Sequence, residues 1–257
     1  MADYENCFNL SALDDDDRVL ADSLLYNSLN NTGLHTFTSK LKPMSDIAAF
    51  RWQVEPEEDN DHPSVEFIDE YIQLNRIAEA FSCGPLKTVL TPFKRVHNGE
   101  RYVQMRVYRS DAVDRVIREY PEFWSRWTFA EGSNPAIMIQ TMEYESTGNR
   151  FRGYGYLYGY PGHAVDFFVE AAESEAETGD FVSRDFIQMP VVSGQTGMFV
   201  YAVPEGHEMN DIDLAIEVEA KENVERFNER APDYYDGDTF DSSAFLRDLF
   251  KEKGWLN

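Results

Sequence analysis

The chain has 257 residues, with 47 acidic against 23 basic side chains and a net charge of −24. Hydrophobic residues make up 42% and aromatics 14%, which excludes disorder of the whole chain and supplies a sizeable core. Only seven of the basic residues are lysines, and an acidic, lysine-poor surface stays hydrated in concentrated salt, where screening removes most of its self-repulsion. The competing reading makes the acids an imitation of DNA or a surface for basic partners. The acids fall in separate blocks (55–70, 166–180 and 205–219 carry no Lys or Arg), which favours a solvated shell over one designed patch and points to a halophilic setting.

The N-terminus, MADYENCFNLSALDDDD, has no basic start and no apolar stretch, so it does not read as a signal peptide. No segment approaches the roughly 20 apolar residues of a membrane span. Cys7 and Cys83 are far apart and unpatterned, which argues against a disulfide framework or a cysteine-rich metal site. The expectation is a cytoplasmic protein with no membrane partner.

In chain order, Ser11 as cap, Asp14 to Asp17 in the first turn and Gly33 at the end predict a first helix. Residues 34–54 are mixed, with strand-like pieces, and 55–63 form an acidic loop. That loop is the one candidate domain boundary; it is short, and the chain is read as a single domain. Ser64 is placed as the cap of a helix carrying Val65, Ile68, Tyr71, Ile72 and Ile77 on one side. Residues 86–96 and 101–108 read as strands joined at Asn98-Gly99, a strong hairpin signal. Ser110 caps a short helix that Pro121 ends. Phe123, Trp124 and Trp127 read as core. Ala136 to Ile139 reads as a buried strand.

In residues 150–160, tyrosines alternate with small residues, which fits either a strand or a helix. Residues 161–177 form a helix, 185–203 a second hairpin and 211–230 another helix. Residues 231–241 are a loop, and Ser242 caps a terminal helix. Antiparallel hairpins mixed with about five to six helices give an α+β class with a mixed or antiparallel sheet.

No motif fixes a reaction, and no cofactor is implied. Gly153, Gly155 and Gly159 fail as a dinucleotide-binding pattern because tyrosines fill the positions where backbone must meet pyrophosphate. Two segments remain. The first is Arg150, Arg152, Tyr156, Tyr160 and His163, where two guanidinium groups near the start of the helix after Pro161 suggest a site for a small anionic ligand. His163 and Asp166, three apart on one helical face, are its candidate catalytic pair. The second is the basic stretch Lys87 to Arg118, where Tyr102, Gln104, Arg106 and Tyr108 share one strand face, with Arg115 nearby. An arginine-and-aromatic sheet face suits an anionic partner such as single-stranded nucleic acid. High salt would suppress such binding, so internal or subunit pairing is expected there instead. No two histidines have ligand-pair spacing, and no metal site is expected.

Overall fold

The computed structural model describes residues 4–55 and 64–255. The acidic loop 55–63, apart from Glu55, therefore lies outside the described residues. A 3-10 turn, Leu10–Ala12, leads into helix α1 (Asp15–Asn30). Its cap is Asp14 rather than Ser11: the Asp14 carboxylate accepts the Asp17 N–H at 2.9 Å. Asp15, Asp16 and Asp17 occupy the first turn, where the helix dipole favours acids. Asp17 turns inward and accepts from Gln73 and Arg76 of helix α3 (Ile68–Ala80). That helix starts four residues after the expected Ser64 cap. Gly33 opens helix α2 (Gly33–Phe37) instead of only ending α1. The cysteines correct the sequence expectation: Cys7 and Cys83 are joined in a disulfide that closes a 76-residue separation.

Strands β1 (Met44–Gln53), β2 (Leu86–His97) and β3 (Glu100–Arg109) form an antiparallel sheet in the order β1-β3-β2. The β2–β3 hairpin turns where predicted. Asn98 and Gly99 both have positive φ, 54° and 78°, the pair a tight primed turn requires. Val103, Met105 and Val107 of β3 enter a core with α1, α2 and α3. The opposite face of β3 is covered as well: Gln104, Arg106 and Tyr108 are all buried.

The cover begins with helices α4 (Ser110–Glu119), α5 (Pro121–Trp124) and α6 (Pro135–Tyr144). It continues with α7 (Thr147–Leu157) and α8 (Gly162–Thr178). The predicted strand at Ala136 to Ile139 is therefore a helix. Asn134 caps it by accepting the Ala136 N–H at 2.9 Å, and Pro135 opens its first turn. Met138, Ile139 and Met142 face the core while Ile137 stands outside; four adjacent apolar residues fit either structure until packing decides.

The tyrosine-glycine segment is helical too. Its glycines set packing distances: a Cβ on Gly153 would lie 2.4 Å from Met142 of α6, and one on Gly155 2.6 Å from Val165 of α8. Tyr154 and Tyr158, one turn apart, stack on one side of the helix. Tyr156 stacks on Tyr120 on another.

The second hairpin pairs β4 (Arg184–Met189) with β5 (Phe199–Pro204) and packs on α8. Helix α9 (Asp211–Arg230) follows, with the predicted bounds. The expected loop at 231–241 holds a small ladder, β6 (Tyr235–Asp236) with β7 (Thr239–Phe240). Helix α10 (Ser242–Lys253) closes the described chain, capped by Asp241 rather than Ser242. The class is α+β as read, but with ten α-helices among the described residues. No helix among them is long and apolar enough to cross a membrane.

Candidate functional site

Where α7, α8 and the second hairpin meet, they line a partly open cavity of about 560 Å³. Its wall is mostly aromatic and aliphatic: Phe93, Phe151, Tyr154, Tyr160, Phe168 and Tyr201 with Val165 and Val200. Phe93, Tyr154, Tyr158 and Tyr160 also line a smaller cavity of about 270 Å³. The smaller one adds Lys42, Asp46 and Arg106, so an apolar chamber adjoins a charged one.

The charged chamber is built from β1, β3 and the end of α7. Arg106, 2% exposed, donates its Nε–H to Asp46 and to the Tyr158 hydroxyl, each at 3.0 Å, and its Nη1 to the Thr91 hydroxyl. Its Nη2 is buried and makes no hydrogen bond. Tyr158 donates to Asp46 at 2.6 Å. Burial, with Asp46 beside it, holds the Tyr158 hydroxyl well above its ordinary range. Lys42 is 2% exposed and donates to the Tyr158 carbonyl at 2.7 Å. Its ammonium sits 4.1 Å from the Phe199 ring centroid and 5.0 Å from that of Tyr160. Burial pulls the Lys42 pKa down to about 7, only partly opposed by Asp46.

Gly159 makes this approach feasible. It ends α7 with φ +76°, and a Cβ there would lie 2.7 Å from the Leu41 carbonyl oxygen and 3.0 Å from Pro43. On the apolar side, Glu143 is buried and accepts from the Tyr154 hydroxyl at 2.7 Å and from the Lys94 N–H at 2.9 Å. Burial raises the Tyr154 hydroxyl pKa, Arg106 opposes the rise and Glu143 adds to it.

The predicted anion site does not form as expected. Arg150 lines the apolar cavity, whereas Arg152 lines a separate surface cleft with Tyr120 and Tyr156. Two residues apart on a helix, the two guanidinium groups point to different sides. Arg152 is already paired with Asp166 and donates to the Tyr156 hydroxyl. Asp166 thus serves Arg152, and His163 turns elsewhere. Tyr156 is buried against Tyr120 and Phe123, away from the apolar chamber. Of the five predicted ligand residues, Arg150 and Tyr160 line that chamber.

The alternative nucleic-acid face is also corrected. Arg106 and Tyr108 lie beneath the α4–α7 layer, Tyr108 among Val113, Met138 and Leu157. Only Tyr102 and Arg115 of that set are exposed, and Arg115 donates to the Lys40 carbonyl at 2.6 Å. No stacking platform is available there.

His163 belongs to another cluster. It lies in the first turn of α8, with its Nε2 3.2 Å from Asp213 Oδ1. His207, in the β5–α9 connection, places its Nε2 2.9 Å from Asp213 Oδ2. Asp213 is fully buried in the first turn of α9, where it accepts from the Tyr201 hydroxyl at 2.6 Å and the Asn210 N–H at 3.1 Å. Burial opposes its ionisation, but Tyr201, His207, Asn210 and His163 together hold its pKa below the ordinary carboxylate value. His207 and Asp213 had no signal in the sequence, because 44 and 50 residues separate them from His163. Lys42 and Asp46 were equally hidden in a mixed segment. Compared with known proteins, the chain matches no family model, no curated protein and no solved structure.

Proposed function

We propose that the protein binds a small molecule with an apolar, aromatic-compatible body and an anionic end. The body occupies the chamber between α7, α8 and β5, and the anionic end lies toward Arg106 and Lys42. The observation that carries this reading is the buried, unbonded Nη2 of Arg106 in a chamber adjoining a 560 Å³ apolar cavity. A buried donor without a partner costs roughly 1–3 kcal/mol, and a ligand oxygen would remove that cost. Cavities of this size and lining are the usual form of small-molecule sites. The anionic ligand expected from the sequence is kept, but its charge partners move from Arg150 and Arg152 to Arg106 and Lys42.

The test is a calorimetric titration with paired probes, such as 4-phenylbutyrate and its neutral amide. The carboxylate is expected to bind about 10-fold tighter or more, since a hydrogen bond to a charged group contributes about 1.5–3 kcal/mol. Arg106→Met should sharply reduce that preference, leaving only what Lys42 supplies, and Phe168→Ala should weaken both probes equally. Equal binding of acid and amide by the unaltered protein sinks the reading.

The acid excess supports a concentrated-salt setting. Glu170, Glu173 and Glu177 on α8 and Glu222, Glu225 and Glu229 on α9 all stand exposed. The melting temperature is expected to rise from dilute buffer to molar KCl; a flat or falling curve refutes this. Disulfides persist mainly in oxidising surroundings, so the Cys7–Cys83 bridge leaves cytoplasmic residence outside this proposal.

A further inference from the structure

We propose that His163, His207 and Asp213 form a binding site for a divalent transition metal of the zinc class. The ligand atoms of these three residues lie within 4.8 Å of one another. The His163 Nε2 lies 3.2 Å from Oδ1 of Asp213 and the His207 Nε2 2.9 Å from Oδ2, so each imidazole faces one oxygen of the same carboxylate at about the ligand–ligand spacing of a zinc site, about 3.3 Å for bonds of 2.0–2.1 Å. The two imidazole rings lie nearly parallel, 16° apart with centroids 5.3 Å apart, and both present Nε2 to the same carboxylate. Two neutral imidazoles and one carboxylate are a donor set suited to zinc, and three protein ligands leave a fourth position for water.

Hydrogen bonding alone accounts for only half of this arrangement. His207 makes a hydrogen bond to Asp213 at 2.9 Å. The His163 Nε2 is buried and lacks a hydrogen bond, although it lies 3.2 Å from the Asp213 carboxylate. The contact has the distance of an ion pair without the alignment of a donor. A metal shared by the three atoms gives that nitrogen a partner.

The supporting shell is also in place. The Tyr201 hydroxyl and the Asn210 N–H fix the carboxylate, the role that outer partners play around bound metals. The three ligands come from three separate elements: the first turn of α8, the β5–α9 connection and the first turn of α9. A bound ion would therefore tie α8, the β5–α9 connection and α9 together. The His163 side chain is 28% exposed and that of His207 18%, so solvent reaches the edge of the site.

The experiment uses the full chain, stripped with EDTA and held in concentrated KCl to suppress loose binding to surface acids. Co2+ and then Zn2+ are titrated. The expected result is one Co2+ per chain, with the visible absorption of a low-coordinate site, displaced by one Zn2+. His163→Ala and His207→Ala should each weaken Zn2+ binding by about 100-fold or more, and Tyr201→Phe by about 10-fold. His163→Gln, checked by circular dichroism, stands in if the alanine variant fails to fold. Failure of the unaltered protein to take up Zn2+ at micromolar concentration overturns the proposal. So does uptake that survives unchanged in both histidine variants, which would assign the metal to surface carboxylates.

Discussion

The two faces of strand β3 are built from neighbouring residues and solve different problems. On one, Val103, Met105 and Val107 close a conventional core with α1, α2 and α3. On the other, Gln104, Arg106 and Tyr108 are buried too, beneath the helical layer that includes α7. Alternation of apolar and polar residues therefore does not mean alternation of core and solvent. The polar face is buried because its charge has partners: Asp46, Tyr158 and Thr91 all meet Arg106. The difference separates a face that holds the fold together from one that holds an unused donor at a cavity, and each can be perturbed alone.

The largest expected effect lies on the apolar side. Breaking the Cys7–Cys83 bridge, by reduction or by a double Cys→Ser replacement, should lower unfolding free energy by about 4.5 kcal/mol, the chain-entropy value for a loop of this size. Urea denaturation of the oxidised and reduced forms measures it; identical midpoints would mean that the bridge contributes nothing.

Next comes a direct contrast within β3. Met105→Ala empties a fully buried site and should cost about 3 kcal/mol. Arg106→Met should cost less, about 1–2 kcal/mol, because the methionine fills much of the volume and the Asp46 side chain left behind is 44% exposed. Urea midpoints in the reverse order would show that the polar face carries the stability.

The third effect is a pH dependence. Lys42 has its folded pKa lowered to about 7 by burial, whereas in the unfolded chain it sits near 10.4. Between those values the unfolded state binds more protons, so this residue makes stability rise with pH above about 7. The slope approaches about 1.4 kcal/mol per pH unit at most. The raised pKa values of Tyr154 and Tyr158 act in the opposite sense only near pH 10 and above. Comparing the unaltered protein with Lys42→Met between pH 7 and 9.5 isolates the contribution. Parallel curves would show that Lys42 does not titrate in this range.

The sequence carries the local signals well and the tertiary ones poorly. Asn98-Gly99 reveals its hairpin because the turn depends on those two residues alone. Helix α9 is legible because Asn210 and Asp213 cap one another reciprocally at its start. Ala136 to Ile139 misleads because a four-residue apolar run has no period of its own. The alternation at 153–160 fits a strand as well as a helix, because the glycines there answer to Met142 and Val165 on two neighbouring helices, which the segment itself does not show. The candidate site was legible only in part. Tyr160 and Arg150 were drawn from one unusual segment, whereas Lys42, Asp46 and Arg106 meet there through a strand pairing and a helix end far apart in the chain. His207 and Asp213 were invisible for the same reason.

Gly159 brings these distant segments together, and it does so with no side chain. Any substitution there must adopt an unfavourable φ and push its Cβ into the Leu41 carbonyl and Pro43, the residues on either side of Lys42. Scored for binding of the proposed ligand across all replacements, this position should therefore be among the least tolerant in the chain, although it has no side chain to offer a contact. The cavity's lysine and the absence of a side chain at 159 therefore act as a single structural unit, because a side chain at 159 would displace the backbone that carries Lys42.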